Sequence, residues 1–345
     1  MERKYGFSSE EITVTDKELY LLGPALAMLL IVTLNTPAYA EEDSLTIQVN
    51  DQSAELTVYF KKRPLMVYTF AANSYKPYVK KLFTLSGQNV LADAPPDHTH
   101  HHGMMYGIRV NGINFWEETA ASGVQRPVKI LKQQVGTNPS GLPRASFTQL
   151  IYWLDKVDRD ISDATWALLV EQRTITLGVD AQTREVAVEW ESTFEVGSKA
   201  KKVALTGNFY NGLGLRFPKD FDAVAKHRNS ENGPELHARK DIDISKARWN
   251  AVTFNFKTNP VTVVVFGLPT NVHGDALFFT MLAPFAYVSA TQGLDKEPLE
   301  YAPGATFKLT YLVTVYSEMK TPEFLEQRAK LWSTEQPGAL DPIRK

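Results

Sequence analysis

The chain has 345 residues, of which 43% are hydrophobic and 22% charged, and its formal net charge is −2. This length suits one large all-β domain or two ordinary ones, and the composition excludes a disordered chain. Lysine and arginine are scattered, which excludes a basic nucleic-acid surface. There is no cysteine, so disulfides, thiolate metal sites, a cysteine nucleophile and a lipid-modified cysteine are all excluded. Stability must come from the core, which is feasible at this size.

Leu19 to Leu34 is an apolar run broken by Gly23, Pro24 and Thr33, and Thr36-Pro37-Ala38-Tyr39-Ala40 follows. Its Ala-x-Ala end predicts a signal peptide over residues 1–40, with cleavage after Ala40. A transmembrane anchor is the competing reading, but an apolar core of about 15 residues falls short of the roughly 20 needed to span a bilayer. The stretch before the run is long and not clearly basic, so the true start is open. Cleavage leaves a near-neutral chain, expected to be periplasmic or secreted and free of the membrane. Residues 44–335 are expected to form one domain, with 336–345 as a tail.

Past Glu42 the dominant signal is period-2 alternation. Strands are predicted at Leu45–Val49, Glu55–Phe60 and Met66–Phe70. Next comes Asp97-His98-Thr99-His100-His101-His102-Gly103, which packs four of the seven histidines into five positions. Histidine titrates near neutrality and is the commonest metal ligand. The run lies between the turn-rich Ala94-Pro95-Pro96 and a predicted strand over Met104–Val110, where a sheet presents a loop for chemistry. An extended backbone would put His98, His100 and His102 on one face and His101 on the other. A cupin-type metal site wants a glutamate shortly after, where Met104 and Met105 stand, so no metal ligand set is assigned. A histidine acting in acid/base chemistry or gripping hydroxyls is one reading, and a structural loop the other.

Asn111-Gly112 is a strong hairpin-turn signal. Beyond it, Trp116 is either a core side chain or a stacking platform, while Glu117 or Glu118 could bring a carboxylate to the histidines. Further strands are predicted at Gln149–Leu154, Trp166–Leu177, Glu185–Glu191 and Val203–Tyr210. Val186, Val188 and Trp190 face one way and carboxylates the other. In Asn211-Gly212-Leu213-Gly214-Leu215-Arg216-Phe217, Arg216 is a candidate for carboxylates or paired hydroxyls, the glycines allow close approach, and Tyr210 is a candidate binder. The charged stretch Pro218 to Asp243 reads as a long loop in which His227 and His237 are solvated. After a strand at Val261–Phe266, His273 could offer another imidazole, although a turn is the plainer reading. Glu300 is a candidate carboxylate. Lys308–Tyr316 alternates, with Leu309, Tyr311, Val313 and Val315 inward. Thr321-Pro322 reads as an N-cap with proline at the first helical position, opening a helix to about Trp332 with Phe324, Leu325, Ala329 and Leu331 as its apolar face. The expected fold is all-β, a large antiparallel β-sandwich with one C-terminal helix.

The string His100-His101-His102-Gly103 with Val110-Asn111-Gly112-Ile113-Asn114-Phe115-Trp116 resembles the signature of an exported bacterial family labelled PmoA-like, or "methane oxygenase PmoA". That signature has His-His-Arg-Gly, a short strand and Asn-Gly-x-x-Phe-Trp. Residues 211–217, Ala247-Arg248-Trp249 and Leu299–Tyr316 resemble later segments of the family. Here His102 stands where the family often has arginine. No second long apolar run is present, so the chain is not a multi-span monooxygenase subunit. The resemblance implies an exported all-β protein, and Leu299–Tyr311 also resembles the closing strands of galactose-mutarotase-like supersandwiches, a likeness of fold from which function is not inherited.

The resulting expectation is a protein that binds or acts on a carbohydrate or other small molecule. His100, His101 or His102 would share acid/base work with Glu117 or Glu300, Arg216 and Trp116 would position the sugar, and Asn111, Tyr210 and His273 would be further binding candidates. The alternatives are a carbohydrate-binding module without catalysis and a metal-dependent oxygenase or hydrolase. The cofactor is open.

Overall fold

A computed structural model describes residues 44–72, 74–156, 164–198, 202–231 and 241–336. The expected signal peptide and nearly all of the expected tail lie outside the described residues, as does His237. The first strands are β1 (Leu45–Asn50), β2 (Glu55–Phe60), β3 (Arg63–Thr69), β4 (Tyr78–Leu82), β5 (Met104–Gly107), β6 (Arg109–Val110) and β7 (Ile113–Asn114). Four longer ones follow, β8 (Val124–Thr137), β9 (Pro143–Leu154), β10 (Leu169–Asp180) and β11 (Glu185–Val196). Then come β12 (Val203–Thr206), β13 (Gly212–Arg216), β14 (Ala225–Asn229), β15 (Ile242–Lys246), β16 (Trp249–Phe254) and β17 (Val261–Gly267). The chain closes with β18 (Leu277–Met281), β19 (Tyr287–Thr291), β20 (Leu299–Tyr301), β21 (Thr306–Tyr316) and the helix α1 (Pro322–Glu335).

Two large antiparallel sheets make the sandwich. One has nine strands in the order β1-β2-β3-β4-β5-β13-β19-β18-β15, and the other has eight, β14-β16-β17-β21-β11-β10-β9-β8. A small sheet, β20-β12-β6-β7, sits beside them. The alternation seen in the sequence selects the inner faces. Val186, Val188 and Trp190 of β11 and Leu309, Tyr311, Val313 and Val315 of β21 join Leu56, Tyr68, Val79, Leu213 and Val288 in one buried apolar cluster. Burial of these faces is the main favourable term in the fold.

The interior also holds charge. Glu171 and Arg173, two apart on β10, are both fully buried and paired at 2.8 Å. Arg173 further donates to the Pro77 carbonyl at 2.8 Å and to Gln125 Oε1 at 3.0 Å, while Glu171 accepts from Trp153 Nε1 at 2.8 Å and from the Ser192 hydroxyl at 2.6 Å. Every partner is internal, so the pair ties the two sheets together rather than facing a ligand.

The helix is capped as expected, Thr321 Oγ1 accepting from the Phe324 amide. Leu325, Ala329 and Trp332 are its buried residues, whereas Leu331 is 55% exposed. Two of the carboxylates on the outer face of β11, Glu185 and Glu189, are covered by α1. Arg328 pairs with Glu185 at 3.0 Å and Trp332 Nε1 donates to Glu189 at 2.6 Å.

Several expected boundaries move. The segment Met104–Val110 divides into β5 and β6, which belong to different sheets. The crossing point is Gly107, where a Cβ would lie 2.8 Å from the Phe115 carbonyl. β12 ends at Thr206, and Trp166 precedes β10 and is 45% exposed. The charged stretch after Pro218 contains a real edge strand, β14, and His227 on it is wholly buried against Asn250 and the Met281 carbonyl, at 3.2 Å each, not solvated. The strands β20 and β21 join different sheets.

Candidate functional site

The outer face of the nine-stranded sheet carries the site. Leu213 and Leu215 of β13 point into the core, so Gly214 and Arg216 point outward. By the same parity Met105, Phe279, Met281 and Tyr287 face outward, and with Tyr78, Trp116, Phe285 and Tyr210 they form a second apolar cluster. Gly214 makes this possible. A Cβ there would meet the Tyr287 hydroxyl at 1.9 Å and the Trp116 ring at 2.8 Å. Trp116 itself is set by Asn114, whose Oδ1 accepts from the Trp116 and Glu117 amides at 2.8 and 3.2 Å, a local turn that aims both side chains.

The histidine run is the end of a hairpin laid on β13. Ala94 N donates to the His101 carbonyl and Gly103 N to the Ala92 carbonyl, both at 2.9 Å. Ala92 N and the Gly103 carbonyl in turn bond the Arg216 backbone at 2.9 Å each. The tip is a pair of turns, with His98 N on the Pro95 carbonyl and His101 N on the His98 carbonyl. The backbone is therefore not extended, and the expected alternation fails. His98, His100 and His101 gather, with ring centroids 4.6 to 5.8 Å apart, and His102 turns away.

His102 is clamped. Nδ1 lies 2.8 Å from Asp93 Oδ1 and Nε2 3.0 Å from Glu118 Oε1, while the ring stacks on Tyr78 at 4.3 Å. Lys76, 1% exposed, reaches the same Glu118 oxygen at 2.7 Å and the Trp116 carbonyl at 2.9 Å. Burial works against the His102 cation, but its hydrogen bonds to Asp93 and Glu118 outweigh that and raise its pKa. Burial likewise opposes the Glu118 carboxylate, and the His102 and Lys76 contacts hold it below the usual range. With both nitrogens committed, His102 is a charged strut, not a catalytic group.

That strut sets a pH dependence. A raised folded-state pKa contributes stability that is complete below about pH 6.5, the unfolded value, and is lost as pH rises through the folded value. Thermal midpoints measured upward from pH 6 are expected to fall for the wild type over that window, and His102→Arg, which keeps the cation at every pH, is expected to flatten the fall. An unchanged slope in His102→Arg would remove His102 from the account.

His101 is 7% exposed, and its ring stacks on Tyr287 at 5.4 Å. Burial, then the neighbouring His100 and His98, push its pKa down to about 2, so its imidazole is neutral. Burial and the Lys76 charge also lower His100, against which the Glu117 charge acts. Arg216 is 4% exposed, donates to Asp97 Oδ2 at 2.8 Å and lies 3.4 Å over the Phe285 ring. Burial opposes the Asp97 carboxylate, but hydrogen bonds from His98 and Arg216 hold its pKa below the usual value.

The gathered histidines border a cavity of about 340 Å³. His98, His100, His101 and Glu117 supply its polar side, and Trp116, Tyr210, Phe279, Phe285 and Tyr287 most of its apolar side, with Phe209, Ile242 and Met281 completing it. Of the residues expected at a site, His100, His101, Trp116, Glu117 and Tyr210 do meet here. Arg216 stands behind the lining, acting through Asp97 and Phe285. Three are elsewhere. Asn111 sits in the hairpin turn with φ +52°, its side chain bonded to Lys202 and Ala204 backbone. Glu300 is an exposed partner of Lys202 at 2.7 Å. His273 donates from Nδ1 to the Gln292 carbonyl at 2.6 Å in a turn. Phe279, Phe285 and Tyr287 escaped the sequence reading because β18 and β19 reach the site only by pairing across the sheet. Among the described residues no group of three or more His, Cys, Asp or Glu side chains is arranged to hold a metal ion. Nor is any described helix long and apolar enough to cross a membrane.

Fold and site together define an all-β sandwich with an aromatic, histidine-edged cleft on the outer face of one sheet. Residues 55–330 match the model of a family of unknown function, DUF6807, and the chain belongs to that family. No curated protein matches in sequence. Among solved structures the chain is similar to the GH36 α-galactosidase AgaB from Geobacillus stearothermophilus, at 10% identity and a TM-score of 0.48, over 79% of this chain and 41% of that one. It is also similar to a galactose mutarotase related enzyme from Lactobacillus acidophilus, at 10% identity and a TM-score of 0.37, over 80% of this chain and 100% of that one. A third likeness is to heparan sulfate lyase HepC from Pedobacter heparinus, at 10% identity and a TM-score of 0.41, over 80% and 37%. The chain thus spans about two fifths of the α-galactosidase length. Likeness at this level says nothing of activity, and the PmoA-like label does not occur among these matches.

Proposed function

We propose that the cleft binds a carbohydrate and moves a proton on it, with His100 and Glu117 as the acid/base pair. The observation that carries this reading is the pairing of aromatic lining with buried polar atoms that have no partner in the protein. Trp116 Nε1 and His101 Nδ1 are both such atoms. Buried polar groups are nearly always satisfied, so a place where they collect calls for a polar ligand. A sugar offers hydroxyls that both donate and accept and C–H faces that lie on aromatic rings. His100, neutral at pH 7 because its pKa is lowered, can accept a proton beside the Glu117 carboxylate.

The same proposal places the mature chain outside the cytoplasm after cleavage following Ala40, in keeping with the PmoA-like likeness of its motifs; N-terminal sequencing of exported protein should then begin at Glu41. The test of the cleft is thermal-shift and calorimetric screening with monosaccharides and short oligosaccharides. At least one is expected to bind the wild type, and Trp116→Phe, which keeps the ring but removes the indole N–H, is expected to weaken that binding about tenfold, the effect of one lost hydrogen bond of about 1.4 kcal/mol. No binding across the panel, or equal binding by Trp116→Phe, would count against the assignment.

A further inference from the structure

Resting on the carbohydrate reading, we propose that the ligand is a glycoside with an aromatic aglycone, and that the aglycone lies on Phe209 at the outer end of the cleft. Phe209 and Ile242 both line the cleft, yet each is 43% exposed. Phe209 is not a loose side chain. It meets Tyr210 edge-on at 5.3 Å and Phe279 at 5.5 Å, and Phe279 meets Tyr287 at 6.1 Å. An aromatic path therefore runs from the His101–Tyr287 stack outward to Phe209. β15 extends it, because Ile242 lies opposite Met281, and Ile244, itself 40% exposed, lies opposite Phe279.

Polarity is segregated along this path. His98, His100, His101 and Glu117 supply one side of the cleft, and Phe209, Ile242 and Met281, on the other, bring no charged group or strong side-chain hydrogen-bonding group. A second sugar unit there would lose water from its hydroxyls and gain no partner, which is unfavourable. An aryl ring would gain stacking contacts with Phe209 and Phe279 instead. At about 340 Å³ the cavity is near the small end of ligand sites, which suits one sugar and one ring rather than a longer chain.

The experiment compares phenyl and methyl glycosides of the same sugars, as α and β anomers of glucose, galactose and mannose, by calorimetry on the whole chain. For a sugar that binds, the phenyl glycoside is expected to bind about tenfold more tightly than the methyl glycoside. Phe209→Ala, checked for folding by its thermal midpoint, is expected to bring that ratio close to one, and Ile242→Ser to lower it. Equal affinities in the wild type, or a ratio that survives Phe209→Ala, would overturn the aglycone assignment while leaving the sugar site standing. If no glycoside of either kind binds, the carbohydrate reading fails and takes this inference with it.

Discussion

Under the proposed acid/base role, His100→Ala is expected to lower turnover of a sugar that the wild type converts by about 10²–10⁴-fold, the usual contribution of one positioned acid/base group. The expectation follows from where the ring sits. His100 lies at the turned tip of the hairpin, half-buried, 4.6 Å from His101 and at the edge of the cleft. No hydrogen bond within the hairpin backbone depends on its side chain, so the loss is expected without a matching fall in thermal midpoint. Glu117→Gln is expected to show a loss of the same order, because it removes the carboxylate while keeping the shape. His102→Ala should behave differently, losing stability first, since Asp93 and Glu118 close on that ring and Lys76 shares the Glu118 carboxylate. Steady-state kinetics and calorimetric unfolding on the same samples separate the cases. Turnover retained in His100→Ala, with a large drop in midpoint, would recast the histidine tip as structural.

Arg173→Met is expected to destabilise the fold by about 3–5 kcal/mol, the cost of stranding a buried partner charge. The guanidinium is fully buried, holds both Glu171 oxygens at 2.8 and 2.9 Å, and lies 4.4 Å over Trp190. Without it Glu171 would keep only Trp153 Nε1 and the Ser192 hydroxyl. Replacing both members, as Glu171→Leu with Arg173→Met, should recover part of the loss, because no lone charge then remains inside. Urea unfolding of the two variants checks this. A loss under about 1 kcal/mol for Arg173→Met would mean that water reaches the pair and that it does not tie the sheets as described.

Local rules explain what could be read directly from the residues. Alternation in Glu185–Glu191 and Lys308–Tyr316 needs only the two-residue period of a strand to mark an inner face, and both strands bury the expected side chains. Asn111-Gly112 takes the two positive φ values of +52° and +79° that its turn requires, and Thr321-Pro322 starts the helix where capping chemistry says it should. The histidine run, Trp116, Glu117 and Tyr210 were visible as chemistry concentrated near turns.

The rest depended on contacts between residues far apart in the chain. Whether a histidine faces the cleft was decided by two turns at residues 95–101 and by Asp93 and Glu118 capturing His102, none of which alternation can encode. Arg216 paired with Asp97, 119 positions away, which places it behind the cleft lining. Alternation put the carboxylates of β11 on its outer face but not α1 over Glu185 and Glu189, and His227 read as a loop residue until β14 joined the sheet edge. Strand periodicity determines which side chains share a face, and only the pairing of distant strands decides which faces meet.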